Sequence, residues 1–157
     1  MTVTTTSRPT IFSSEAPERV APQGLVMIIG DDLSWGQGLD TICDFFGLAV
    51  EHVPTELDVA FLLREFRPMA VIAEVDGRGQ DGFHVMGEVA AYDRDLPMML
   101  LTGLDATLMG AADAMREITG LTSLRIEEGL PLMAEMVDFL FRAGRAAGID
   151  RMMPISA

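Results

Sequence analysis

A doubly wound α/β sheet of five parallel strands is the fold class this sequence predicts. Five short apolar runs alternate with amphipathic segments of helical period, and the connections between them are short. The clearest runs, LVMIIG (25–30), MAVIAEV (69–75) and PMMLLTG (97–103), are apolar throughout rather than alternating. Strands covered by helices on both faces read that way.

Each element has its own reason. Residues 1–23 are rich in Thr, Ser and Pro and predict a flexible tail. LVMIIG is strand one. Residues 34–47 space Trp35, Leu39, Ile42, Cys43 and Phe46 helically, with Gly47 as C-cap. LAVEHV (48–53) is strand two, and Thr55 is the expected N-cap of a helix that turns Val59, Leu62, Leu63 and Phe66 inward. MAVIAEV is strand three. Asp81 caps a helix to about residue 92, with Phe83, Val85, Met86 and Val89 inward. PMMLLTG is strand four, and residues 105–118 are helical. LTSLRI (121–126) is strand five, polar enough to lie at an edge. Residues 130–146 form the last helix. The expected domain is therefore 24–146, with 147–157 as a fraying tail.

Composition narrows function. Hydrophobic residues make up 49% of the 157, enough for a core. No apolar run approaches the ~18–20 residues of a membrane span, and the N-terminus lacks the apolar region of a secretory signal. Cys43 is the lone cysteine, so no intrachain disulfide or CxxC site is available. Together these predict a cytoplasmic protein. All 11 basic residues are Arg, against 24 acids. Residues 24–141 hold 21 acids and six arginines, a net −15. Such a surface repels phosphate backbones and anionic lipid, so neither nucleic acid nor membrane is an expected partner.

Right-handed crossovers bring the loops after the strands to one edge, where α/β sheets place their sites. Strand one ends in Gly30-Asp31-Asp32, strand three at Glu74 with Asp76 two residues on, strand four at Thr102, strand five near Arg125. The loop GDDLSWGQG lacks GxGxxG, and a chain without Lys has no Walker A motif, which argues against a nucleotide- or flavin-binding domain.

The acid pair Asp31-Asp32, an acid ending strand three, the Asp81-Gly82 spacing after it and Thr102 together resemble the receiver domains of response regulators, over residues 25–145. The resemblance implies a flavodoxin-like (βα)5 fold and two-component signalling. It implies that an Asp at the Glu74 position accepts a phosphoryl group with Mg²⁺, and that Thr102 and a Lys at the Arg125 position bind its oxygens. Three residues depart from the pattern: Glu74 for Asp, Arg125 for Lys and Ile126 for Pro. Glu is longer by one methylene, about 1.5 Å, and in-line transfer tolerates little misplacement. Glu74 is therefore expected not to be phosphorylated but to imitate the modified state, reaching Thr102 or pairing with Arg125.

The reading is thus a stand-alone, atypical pseudo-receiver working by protein–protein interaction with a histidine kinase, phosphotransfer or output protein, not as an enzyme. The alternative is a Mg²⁺-dependent phosphoacceptor using Glu74 or Asp76. Asp31, Asp32 and Glu74 are the candidate Mg²⁺ ligands, with Asp76 completing the acidic pocket. His52 and His84 are read as surface residues with no phosphotransfer or metal role, and Cys43 as core. The last helix carries more apolar surface than one stripe requires, so Leu132, Met136, Phe139 and Phe141 are assigned to a partner or homodimer interface.

Overall fold

The computed structural model describes residues 23–30, 36–54, 57–75, 82–103, 105–129 and 131–149. The described chain runs β1 (Gly24–Ile29), α1 (Gly36–Phe45), β2 (Leu48–Val53), α2 (Val59–Phe66), β3 (Ala70–Glu74), α3 (Gly82–Tyr92), β4 (Met98–Leu101), α4 (Ala106–Thr119), β5 (Leu124–Glu127) and α5 (Met133–Ala146). All strand pairs are parallel, in the order β2-β1-β3-β4-β5. The fold is the predicted doubly wound sheet of receiver-like, flavodoxin-like type, with the polar fifth strand at an edge.

Two apolar layers hold it. Val26, Ile28, Ala70, Ile72, Met99 and Leu101 face α1 and α5, meeting Leu39, Cys43, Phe46, Met136, Phe139 and Leu140. Alternate strand residues, Met27, Ile29, Val71, Ala73, Met98 and Leu100, meet α2, α3 and α4 through Val59, Leu63, Val85, Met86, Val89 and Ala112. Burial on both faces is why β1, β3 and β4 carry no polar alternation.

Helix boundaries follow local chemistry. The cap of α2 is Asp58, whose carboxylate accepts the Phe61 N–H at 3.2 Å, three residues later than the Thr55 expected from sequence. Thr55 itself, like Trp35, Asp81 and Leu130, lies outside the described residues. With the helix this short, Phe66 falls in its last turn and is exposed, not inward. Asp105 caps α4 by accepting from Thr107 and Leu108. Gly47 and Gly120 end α1 and α4 at φ of 68° and 71°, where a side chain would be strained. Order continues past the expected boundary at 146: the Ile149 N–H donates to Gly144 O at 2.9 Å and its side chain packs on the α1/α5 layer. No helix among the described residues is long and apolar enough to cross a membrane.

Cys43 is fully buried in α1, as its place on the inward stripe predicts. Burial, and after it the carboxylates of Asp40 and Asp44, push its thiol up to about 12. The folded state thus favours the neutral thiol. Its contribution is fully present below the ordinary value of 9.0 and is lost as pH rises from there toward about 12. Iodoacetamide at pH 8 is therefore expected to label Cys43 only when the chain unfolds. Equal labelling rates with and without denaturant would contradict this.

Candidate functional site at the carboxyl edge of the sheet

Strand register fixes what stands side by side at this edge. Glu74 is level with Leu101, and Leu101 with Glu127. On the other side Ile28 is level with Ile72, so one pleat further on Gly30 stands beside Glu74. All of these positions belong to the face covered by α1 and α5.

The Glu74 side chain leans along this face toward β1. A Cβ built on Gly30 would lie 2.9 Å from its Oε2, 3.2 Å from Cδ and 3.4 Å from Cγ. The start of α3 presses on the same strand end from behind. Gly82 donates its N–H to Val75 O at 3.3 Å, and a Cβ there would come within 2.8 Å of the Glu74 carbonyl oxygen. The Asp-Gly spacing is thus a packing requirement at its second residue.

Thr102 is buried directly after β4. Its hydroxyl is within hydrogen-bond reach of Gly103 O at 3.2 Å and Glu127 O at 3.3 Å, and its N–H donates to Glu127 O. The side chain that sequence assigned to anion binding is oriented to backbone carbonyls of its own turn and of β5.

Arg125 departs further from expectation. It is level with Met99, two residues short of the strand end, so about 6–7 Å back from the mouth at the usual rise. Its guanidinium faces α5. Nε pairs with Glu127, Nη2 lies 3.9 Å from Glu135 and Nη1 3.6 Å from Asp138, which also takes Arg142 at 3.0 Å. The structure therefore does not bring Arg125 to Glu74: strands β3 and β5 are separated by β4, and Glu74 leans the opposite way. The residue level with Glu74 on β5 is Glu127, followed by Glu128. An acid, rather than a cation, ends the fifth strand.

Asp31, Asp32 and Asp76 lie outside the described residues. Among the described residues no group of three His, Cys, Asp or Glu could hold a metal ion. The donor chemistry of Asp31, Asp32 and Glu74, all hard carboxylate oxygens, suits Mg²⁺ rather than a soft metal.

The interface assignment needs correction. Met136 and Phe139 are buried in the α1/α5 layer, and Phe141 is half-buried with its ring edge-on to Phe46 at 5.2 Å. Leu132, at 71% exposure, stays on the surface, joined by Met133 at 70%. The inward stripe is Met136, Phe139, Leu140 and Ala143, and Met133 faces solvent. A groove of about 750 Å³ runs along β5 and α5, lined by Arg116, Arg125, Arg142 and Asp138 among others.

Sequence reasoning missed Gly30, Glu127 and the pairing of Asp40 with His52. His52 is half-buried on β2, with Nε2 2.8 Å from Asp40 Oδ1 and Nδ1 buried without a partner among the described residues. A single histidine in a strand gave no signal of this.

A five-stranded parallel sheet in this order is the flavodoxin-like fold that receiver domains share. No family model matches the chain, and no curated protein does. Solved structures do. The apo receiver domain of nitrogen regulatory protein C superimposes with a TM-score of 0.64 at 20% identity, over 80% of this chain and 98% of that one. The non-phosphorylated HemR receiver domain from Leptospira biflexa gives 0.61 at 18%, over 85% and 99%. A response regulator receiver domain from Clostridium thermocellum gives 0.61 at 17%, over 80% and 98%.

Proposed function

We propose that this domain is a pseudo-receiver of the two-component type, which works by protein–protein contact with Glu74 as a permanent anion in place of a transferable phosphoryl group. The observation that carries this reading is the setting of Glu74. It ends β3, where a receiver's acceptor acid belongs, yet its carboxylate lies against Gly30, and the fifth strand ends at Glu127, followed by Glu128. Phosphoryl transfer is catalysed by positioning and by cationic stabilisation of equatorial oxygens. Glu127 and Glu128 at the end of β5, where such stabilisation needs a cation, oppose that chemistry, and Arg125 is committed to acids on β5 and α5. Asp31 and Asp32 with Glu74 would be the Mg²⁺ ligands, and a bound cation would relieve their mutual repulsion.

For partners such as a histidine kinase, phosphotransfer protein or second copy of the chain, the exposed start of α5 at Leu132 and Met133 and the β5/α5 groove supply surface. Phe139 and Met136 do not. Incubation with acetyl phosphate and Mg²⁺, followed by intact-mass and peptide mass spectrometry, tests the proposal. No acyl phosphate is expected at residue 74. Stoichiometric modification of Glu74, or of Asp76, would overturn it in favour of a working phosphoacceptor.

A further inference from the structure

We infer that Gly30 is a positioning residue for Glu74. The side chain missing from the end of β1 is the space into which the longer acid lays its carboxylate, and this holds the anion on the β1 side of β3. The inference deepens the pseudo-receiver reading, on which the signalling importance of Glu74 rests. Three atoms argue it: Oε2, Cδ and Cγ of Glu74 are the three nearest heavy atoms to a Cβ at position 30, at 2.9, 3.2 and 3.4 Å. Carbon–carbon contacts are favourable at about 3.5–4.0 Å, so alanine and the carboxylate cannot share the space.

The two sides of this contact differ in stiffness. β1 is the second strand of five, paired on both sides, and Gly30 itself donates to Val53 O at 3.2 Å. Glu74 presents the far end of a rotatable side chain. A methyl at position 30 therefore evicts the carboxylate and leaves the strand in place. The match also runs the other way. Aspartate at 74 would end one methylene, about 1.5 Å, short of the seat. Glycine at 30 and glutamate at 74 thus form one steric unit, and neither accounts for the geometry alone. Eviction moves the negative charge to solvent or toward β4, which Thr102 directly follows. Gly30 in this way decides which side of β3 carries the anion.

The test is carboxyl-detected NMR of the full-length chain labelled with ¹³C-glutamate, the Glu74 Cδ signal being assigned by its loss in Glu74→Gln. In Gly30→Ala the Glu74 Cδ and Hγ signals are expected to shift, while those of Glu51 and Glu88, remote from the seat, hold. Glu74 signals identical to wild type in Gly30→Ala would overturn the inference. If Gly30→Ala alone fails to fold, combining it with Glu74→Ala should restore folding, because the obstructing arm is gone. A double variant that is also unfolded would place the clash elsewhere and equally overturn it. These spectra need no partner and no phosphoryl donor. An acyl phosphate on Glu74 would thus remove the signalling reading while leaving the seat standing.

Discussion

Phe139→Ala is expected to destabilise the domain by about 3–4 kcal/mol, within the range for emptying a buried aromatic site. The ring is 4% exposed and shares a layer with Leu39, Cys43, Phe46, Met99, Leu101, Met136 and Leu140. Removing it takes away part of the link between α5 and both the sheet and α1. Few alternatives fill the gap, because the neighbouring Phe141 already packs on Phe46. Phe139→Asp should prevent folding altogether, since a lone carboxylate there would be buried without a partner. Urea denaturation followed by far-UV circular dichroism measures the first effect as a lower midpoint at unchanged slope. Leu132→Asp is the control. That side chain is 71% exposed, and surface changes usually fall within about ±0.5 kcal/mol. If Phe139→Ala matched the control in stability, the assignment of this ring to the core would fail. The pair also separates folding from association, because only the Leu132 change alters exposed apolar surface.

The difference between those two residues shows where sequence reasoning stops. Strands β1, β3 and β4 are legible because burial on both faces leaves only apolar residues, and that pattern survives errors of a residue or two at the ends. The α5 segment has apolar residues in every direction. Its phase is set by where the helix begins, after Leu132, whose N–H is capped by the Glu135 carboxylate at 3.0 Å. Leucine is a poor N-cap by residue type, so the true start carried no recognisable sign, and Met136, Phe139 and Phe141 looked as free for a partner as Leu132.

Strand five failed in the same manner with larger consequences. Its residues Leu124–Glu127 are all half-buried and carry no apolar run to anchor the register. Placing the strand end at 125–126 put Arg125 at the mouth. Hydrogen-bonded pairing with β4 moves the end to Glu127, and alternation then turns Arg125 onto α5 among three acids. Glu74 was legible, because an acid ending an apolar run is conspicuous. Its direction was not. That depends on Gly30, a residue whose meaning lies in an absent side chain and becomes visible only when the neighbouring strand is in place.

Gly82→Ala is expected to destabilise the domain by about 2 kcal/mol, and the sign is the informative part. Helix propensity alone favours alanine by roughly 0.5–1 kcal/mol, so a position free of tertiary constraint would gain stability. Here a Cβ would meet the Glu74 carbonyl oxygen at 2.8 Å, Leu100 Cδ1 at 2.8 Å and Val75 Cα at 3.0 Å. Two of these are backbone atoms at the end of the central strand, Glu74 and the residue after it, which cannot swing aside as the Glu74 carboxylate can. Overpacking of this kind typically costs about 1–3 kcal/mol, and contacts with backbone belong at the upper end, so the clash outweighs the propensity gain. Relief requires α3 to lift from β3, which lengthens the 3.3 Å bond from Gly82 N–H to Val75 O and disturbs the strand end that carries Glu74. The expected signature is therefore a lower denaturation midpoint together with amide shifts concentrated at Glu74 and Val75 and a methyl shift at Leu100. Stabilisation by alanine, with those signals unmoved, would mean that the helix start does not bear on the strand end. The link between the Asp-Gly spacing and the placement of Glu74 would then be lost.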